Sequence, residues 1–190
     1  ISHIYYADRL NQLPLAIFGI SMGVVLLPSL SKAIKNNNKK EIDDTQNRSL
    51  EFSLLISLPS AVGLFILSFP IIHILFERGA FSPEDTIFTA QVLSIFSLGL
   101  PAYILIKVLV TCFFAREDTK TPLYISVISV VINIVLSLLL ISTMREMGIA
   151  LATAISAWVN ALLLFSILKF KRNLILDSIL IKNTFKIFIS

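Results

Sequence analysis

Long apolar runs constrain this chain more than any other feature of its sequence. Five such runs, each long enough as a helix of about 20 residues to cross roughly 30 Å of hydrocarbon, alternate with short polar stretches. Only 15% of the residues are charged, whereas about 25% is usual for a soluble domain. The chain is therefore predicted to be an all-α integral membrane protein, and a soluble domain of fully buried helices is the alternative.

Polar linkers divide the apolar runs into separate predicted spans. The longest linker covers residues 31–49. The tetrapeptide that begins at Ser82 is typical of a helix N-terminus, because Ser is a good N-cap, Pro83 suits the first position, and Glu84 and Asp85 favour the positive end of the helix dipole. The five membrane spans are predicted at residues 5–30, 50–76, 87–114, 122–141 and 148–170.

Both ends of the chain suggest a longer protein. The first residue is Ile1 rather than Met, and no signal peptide is expected. Residues 171–190 are predicted to be a cytoplasmic basic segment and the start of a sixth, truncated helix. We therefore expect a transmembrane helical bundle over residues 1–170 that is one part of a larger protein.

Basic residues predict how the bundle is oriented. Twelve lie in the linker 31–49, in the linker 115–121 and in the stretch from Lys169 onwards, which share one side of the membrane. The linkers on the other side contain only Arg78 and Arg145. Because Lys and Arg are enriched in cytoplasmic loops, the chain is predicted to begin outside and to end in the cytoplasm.

Two further basic residues, Arg9 and Lys107, fall within or at the edge of a span. Helical spacing places Arg9 on one face with Tyr5 and Gln12, while the adjacent Asp8 points about 100° away and need not pair with Arg9. Charges in a membrane are costly and often mark a functional site. The alternative for these polar stripes is helix packing, since small and hydroxyl side chains let membrane helices approach closely.

The sequence contains no recognisable catalytic constellation. It has no Gly-rich phosphate loop, nucleophile elbow or paired-histidine motif. Cys112 is the single cysteine, and His3 and His73 are far apart without ligand spacing, so neither an internal disulfide nor a metal cluster is expected. The chain is predicted not to be an enzyme.

Four blocks of sequence resemble one family. In order they are "YYADRLNQLPLAIFGISMGVVLLPSLSK", "LPSAVGLFILSFPIIHILFERGAFSPEDT", "LGLPAYILIKVLVTCFFAREDTKTP" and "GIALATAISAWVNALLL". They resemble the MurJ (MviN) family of bacterial lipid II flippases, over about Tyr5 to Leu168. The resemblance implies the C-terminal lobe of a two-lobe exporter fold of the multidrug/oligosaccharidyl-lipid/polysaccharide exporter superfamily, with five transmembrane helices plus the start of a sixth.

The function implied by this resemblance is transport of lipid II. The family moves this peptidoglycan precursor from the inner to the outer leaflet by alternating access, as multi-pass proteins of the bacterial cytoplasmic (inner) membrane. The Arg of the "ADRL" motif, here Arg9, lines the central cavity in the family, and a guanidinium can hold pyrophosphate oxygens bidentately. Asp8, Gln12 and Lys107 are predicted to contribute to the same substrate-binding site.

The resemblance also implies a sodium site, because some members of the family bind sodium. The matching residues are Asn133, Ser137, Thr153 and Ile149, the last through its carbonyl group. Ser137 stands where the described site has an acid, and a second acid lies on a helix absent from this chain. No other cofactor is expected, and coupling to membrane potential or to protons is the alternative to sodium.

The implied partners are lipid II, with its undecaprenyl pyrophosphate and disaccharide-pentapeptide, membrane lipids and a missing N-terminal lobe, but no nucleic acid. Three alternatives to a lipid II flippase stay open at this point. The chain could belong to an exporter of another polyprenyl-linked saccharide or of a drug. It could instead be a truncated remnant that does not transport, or part of an enzyme acting on lipid-linked sugars.

Overall fold

The computed structural model describes residues 2–171, and within them all side chains except those of residues 2 and 18–24. The predicted tail and truncated helix over 172–190 lie outside the described residues. The described residues form six α-helices: α1 (Ser2–Lys35), α2 (Lys39–Ile66), α3 (Ser68–Phe76), α4 (Pro83–Phe114), α5 (Lys120–Met144) and α6 (Glu146–Phe170).

Helix α4 is the centre of the bundle and packs against α1, α2, α3 and α6. Near the start of α4, Leu93 is buried in a cluster with Ala7 of α1 and Ala150 of α6. Near its end, Phe113 is buried with Leu30 of α1 and Leu168 of α6. The three helices α1, α4 and α6 therefore run in the same direction, and their N-termini lie at one end of the bundle.

Helix α5 packs mainly against α6 and leaves most of its surface uncovered. Large apolar side chains along it are exposed, including Leu123 (61%), Leu138 (69%) and Leu139 (65%). An apolar surface of this extent is unusual in water and is what a membrane helix presents to lipid. Among the described residues, α2, α4, α5 and α6 are long and apolar enough to cross a membrane.

The predicted second span, 50–76, differs from the structure, where it is divided into α2 and α3 at Leu67. The Leu67 N–H donates to the Gly63 carbonyl at 2.9 Å and ends α2. Pro70 follows in the first turn of α3, a position where the lack of an N–H is tolerated. The apolar run is continuous in sequence, but the helix is interrupted at Leu67.

The predicted linker 31–49 also differs, because most of it is helical. Helix α1 continues to Lys35 and α2 begins at Lys39, so only residues 36–38 connect the two helices. The Asn38 side chain accepts a hydrogen bond from the Glu41 N–H and caps α2. Polar residues here extend the helices beyond the apolar segments.

The predicted N-terminus at Ser82 is confirmed by a capping box at the start of α4. The Ser82 hydroxyl accepts from the Asp85 N–H at 3.2 Å, and the Asp85 carboxylate accepts from the Ser82 N–H at 2.9 Å. Pro83 occupies the start of the helix. Each group satisfies a backbone N–H that has no partner within the helix.

Candidate functional site

On the polar face of α1, Arg9 is contacted by Tyr5, which lies one turn earlier. The Arg9 guanidinium donates to the Tyr5 hydroxyl at 2.9 Å, and its central carbon lies 4.9 Å from the centre of the Tyr5 ring. Both side chains are exposed. Among the described residues no carboxylate forms an ion pair with Arg9. The positive charge is therefore oriented by an aromatic residue and is not neutralised.

The adjacent Asp8 belongs to a second pair on the same helix. Its carboxylate accepts a hydrogen bond from the Gln12 amide, one turn further along. The structure therefore brings Asp8, Arg9 and Gln12 together on the first three turns of α1. They belong to two separate pairs, Tyr5 with Arg9 and Asp8 with Gln12.

Lys107 is on α4 and is exposed, but the structure does not bring it next to Arg9. Ala7 and Leu93 belong to the same buried cluster, which aligns the start of α1 with residues near 93 of α4. Lys107 is 14 residues beyond Leu93, which is about 20 Å along a helix. The two cations therefore lie at different depths along the bundle.

The interface of α4 with α6 contains polar groups that sequence reasoning did not assign to a site. Pro101 lacks an N–H and leaves the α4 backbone incompletely bonded at this level. Close by, the Trp158 indole N–H donates to the Leu98 carbonyl at 2.9 Å. The Tyr103 hydroxyl and the Asn160 amide oxygen are buried and have no hydrogen-bond partner among the described residues.

The four predicted sodium ligands are brought together where α5 meets α6. The Asn133 amide nitrogen donates to the hydroxyls of Thr153, at 3.2 Å, and Ser156, at 3.0 Å. The Ser137 hydroxyl donates to the Asn133 amide oxygen at 3.3 Å, and the Thr153 hydroxyl donates to the Ile149 carbonyl at 2.8 Å. Ser156 was not among the predicted ligands, although it is three residues from Thr153 on the same face.

In the structure this cluster is a hydrogen-bonded contact between two helices. All its side chains are neutral, and the nitrogen of Asn133, which cannot ligate a cation, points at two of the oxygens. A hard cation prefers carboxylate and carbonyl oxygens. The described residues include no group of three or more His, Cys, Asp or Glu side chains that could hold a metal ion.

Comparison with known proteins gives one consistent result. The family model described as "Lipid II flippase MurJ" matches residues 1–190, which is the whole chain. The chain belongs to this family. A "Probable lipid II flippase MurJ" of Rhizobium meliloti (strain 1021) is 49% identical over 168 residues, or 88% of this chain.

Other MurJ-family proteins agree with this assignment. A protein of the same name from Rhizobium tropici is 45% identical over all 190 residues. A solved structure described as "Lipid II flippase MurJ, inward closed conformation" matches 98% of this chain with a TM-score of 0.84 and 33% identity. The predicted recognition of the family and the all-helical membrane fold are therefore confirmed.

The chain spans about a third of the length of these relatives. It covers 31% of the Rhizobium meliloti protein, 36% of the Rhizobium tropici protein and 38% of the solved structure. The MurJ relatives are therefore much longer than the segment described here, and the activity of a whole MurJ protein does not pass directly to this segment.

Proposed function

We propose that this chain is part of a lipid II flippase, which moves the lipid-linked peptidoglycan precursor from the inner to the outer leaflet for cell wall biogenesis. The observation that carries the proposal is the match of the whole chain, residues 1–190, to the MurJ family model. On this proposal the chain is a transport protein and not an enzyme. An exporter of another lipid-linked saccharide or of a drug is not favoured, because the relatives compared above are named as lipid II flippases.

Arg9 is the residue proposed to hold the pyrophosphate of lipid II. Its exposed guanidinium is oriented by Tyr5 and forms no ion pair with a described carboxylate, so its charge is available to an anion. A planar guanidinium offers two parallel N–H groups to phosphate oxygens. Asp8 and Gln12 support this face, and the proposed role of Lys107 is a second phosphate or headgroup contact at a different depth.

The larger architecture is also a proposal. The chain provides five transmembrane helices and the start of a sixth, which together form the C-terminal lobe of a two-lobe exporter. A second lobe would face the polar side of α1 and enclose a cavity with it. Alternating access of this kind moves one half of a transporter against the other, so a single lobe is insufficient.

Location in the bacterial inner membrane follows from the proposed substrate, which is made on the cytoplasmic side. The asymmetry of the basic residues supports an external position for the N-termini of α1, α4 and α6. The turn between α1 and α2 and the turn between α4 and α5 would then face the cytoplasm. Lipid II and membrane lipids are the proposed partners.

Sodium binding at the contact between α5 and α6 is a separate proposal. The oxygens of Asn133, Ser137, Thr153 and the Ile149 carbonyl would hold the ion, and the Asn133 amide would have to turn its oxygen towards it. A carboxylate from outside this chain would be needed to supply negative charge. Thermal unfolding of the full-length protein and of its Asn133 variants, each measured with and without sodium, tests this proposal.

Reconstitution tests the flippase proposal. The full-length protein that contains this chain and the chain alone are each placed in liposomes with labelled lipid II, and exposure of the label to an external reagent is followed. The full-length protein is expected to expose lipid II faster than empty vesicles do. The chain alone is expected to match empty vesicles, because it lacks the opposing lobe. Failure of the full-length protein would contradict the proposal.

A further inference from the structure

A histidine joins the first turns of three helices at one end of the bundle. Nδ1 of His3 lies 2.8 Å from a carboxylate oxygen of Glu146, and Nε2 lies 2.9 Å from a carboxylate oxygen of Asp85. His3 is near the start of α1, Asp85 near the start of α4, and Glu146 at the start of α6. One imidazole ring therefore bridges three helices that run in the same direction.

The protonation state of His3 decides how many of these bonds can form. A carboxylate only accepts hydrogen bonds, and a neutral imidazole has a single N–H, so a neutral ring can satisfy one of the two partners. A protonated ring donates from both nitrogens. Burial disfavours the charged ring, but the hydrogen bonds to Asp85 and Glu146 outweigh this effect and raise the pKa of His3 above its ordinary value of 6.5.

Other charged groups near His3 do not replace these partners. Arg78, from the turn before α4, and Arg145, from the turn before α6, each line a cavity that His3 also lines, but neither contributes to the shift in the pKa of His3. Arg78 donates to the Ile74 carbonyl at 3.2 Å instead. The two carboxylates dominate because they contact the ring directly.

The three bridged helix ends cover an apolar region. His3 and Glu146 lie at the edge of a cavity of about 380 Å³ whose wall includes Ile4, Val92 and Met147. Val92 is only 1% exposed. Separation of the helix ends at His3 would open this region to small molecules.

We propose that His3 is a pH-operated clasp, which closes the N-terminal ends of α1, α4 and α6 when its protonated ring bridges Asp85 and Glu146. Loss of the ring proton removes one of the two bridges and loosens the clasp. The stabilising contribution is present in full below pH 6.5, the ordinary value for His, and is lost as the pH rises through the raised pKa of His3. This inference requires only the described chain and not its proposed transport function.

Thiol labelling of a buried position beneath the clasp tests the proposal. Val92→Cys is introduced as the single cysteine into the full-length protein that contains this chain, with Cys112→Ala, and its modification rate is compared with and without His3→Gln at each pH. The comparison at equal pH cancels the intrinsic pH dependence of the thiol.

At about pH 6 the Val92→Cys thiol is expected to react about tenfold faster with His3→Gln than with His3, which is the effect of one charge-assisted hydrogen bond. The ratio of the two rates should fall towards one at about pH 10. The control is a separate protein without Val92→Cys, whose single cysteine is the native Cys112, which is also 1% exposed but lies at the other end of the bundle. Its labelling should not respond to His3→Gln. A ratio at Val92→Cys that does not change with pH would overturn the proposal.

A titration of the unmodified histidine provides a second measurement that does not depend on a buried cysteine. The His3 ring resonance is followed by NMR in the full-length protein that contains this chain, and it is assigned by its absence from the His3→Gln variant. Its midpoint should lie above 6.5 and should fall when Glu146→Gln is added. A midpoint at or below 6.5, or one insensitive to Glu146→Gln, would contradict the clasp.

Discussion

Gly148 and Leu140 lie so close that a Cβ atom at residue 148 would be 2.7 Å from the Leu140 carbonyl oxygen. This contact sets the distance between α5 and α6 just before their shared polar cluster. Gly148→Ala is expected to force the helices apart and to destabilise the protein by about 1–3 kcal/mol. Thermal unfolding in detergent measures the effect.

A matched control is available in α2. Gly63 is also within a helix, but a Cβ atom there would meet nothing within 4 Å. Gly63→Ala is expected to be neutral or to stabilise by up to about 1 kcal/mol, because Ala favours a helix more than Gly does. Equal destabilisation by the two substitutions would contradict the close contact at Gly148.

Removal of the Tyr103 hydroxyl is expected to stabilise the chain. That oxygen is buried and has no hydrogen-bond partner among the described residues, while its ring lies 3.0 Å from the position of a Gly99 Cβ. Leaving a buried polar group unsatisfied costs about 1–3 kcal/mol, so Tyr103→Phe should raise the melting temperature by several degrees. Tyr124→Phe, at a 65% exposed position, should leave it unchanged. A lower melting temperature for Tyr103→Phe would indicate a partner for this hydroxyl.

The end of α6 is joined to the turn between α4 and α5 by a pH-dependent contact. The Lys171 ammonium, 2.8 Å from the Asp118 carboxylate, and the Thr121 N–H, at 3.0 Å, hold the pKa of Asp118 at about 2, below its ordinary 3.8. The contribution of a group with a lowered pKa is present above the ordinary value and is lost as the pH falls through the folded value.

Asp118→Asn tests this contact, because the amide keeps an acceptor for Thr121 and removes only the charge. The variant should be less stable than the parent by a constant amount above about pH 4, and the difference should close towards about pH 2. Unfolding curves recorded across this range measure it. A difference that persists unchanged at the acidic end would show that the charge of Asp118 is not involved.

Impermeant thiol labelling in intact cells tests the orientation of the chain. Single cysteines replace Asn36, in the turn between α1 and α2, and Ala80, in the turn before α4, in a chain with Cys112→Ala. Both positions are exposed. The twelve-to-two distribution of basic residues predicts that Ala80→Cys is labelled and that Asn36→Cys is protected until the cells are opened. The reverse pattern would invert the topology.

Local sequence patterns predicted the local structure where a single turn decides the outcome. The capping box of Ser82 and Asp85 is present because its partners are three residues apart and face each other on any helix. By contrast, the prediction that residues 31–49 form a linker was wrong for most of that stretch. Lys, Glu and Gln favour helices as well as water, so a polar stretch between spans continued as helix on both sides of residues 36–38.

The candidate site was predictable in part. Helical spacing placed Tyr5 with Arg9, and the resemblance placed Asn133 with Thr153. Contacts between distant parts of the chain carry no such local signal. His3 is 82 residues from Asp85 and 143 from Glu146, and only the parallel packing of α1, α4 and α6 brings them together.

Arg9 is proposed to hold the substrate pyrophosphate in a lipid II flippase. The most direct measurement is the rate at which lipid II becomes exposed outside cells that depend on the full-length protein, compared for Arg9, Arg9→Lys and Arg9→Ala at equal membrane levels. Arg9→Ala should abolish this exposure, and Arg9→Lys should retain part of it, because an ammonium cannot make the planar two-point contact. Full exposure with Arg9→Ala would contradict this role of Arg9.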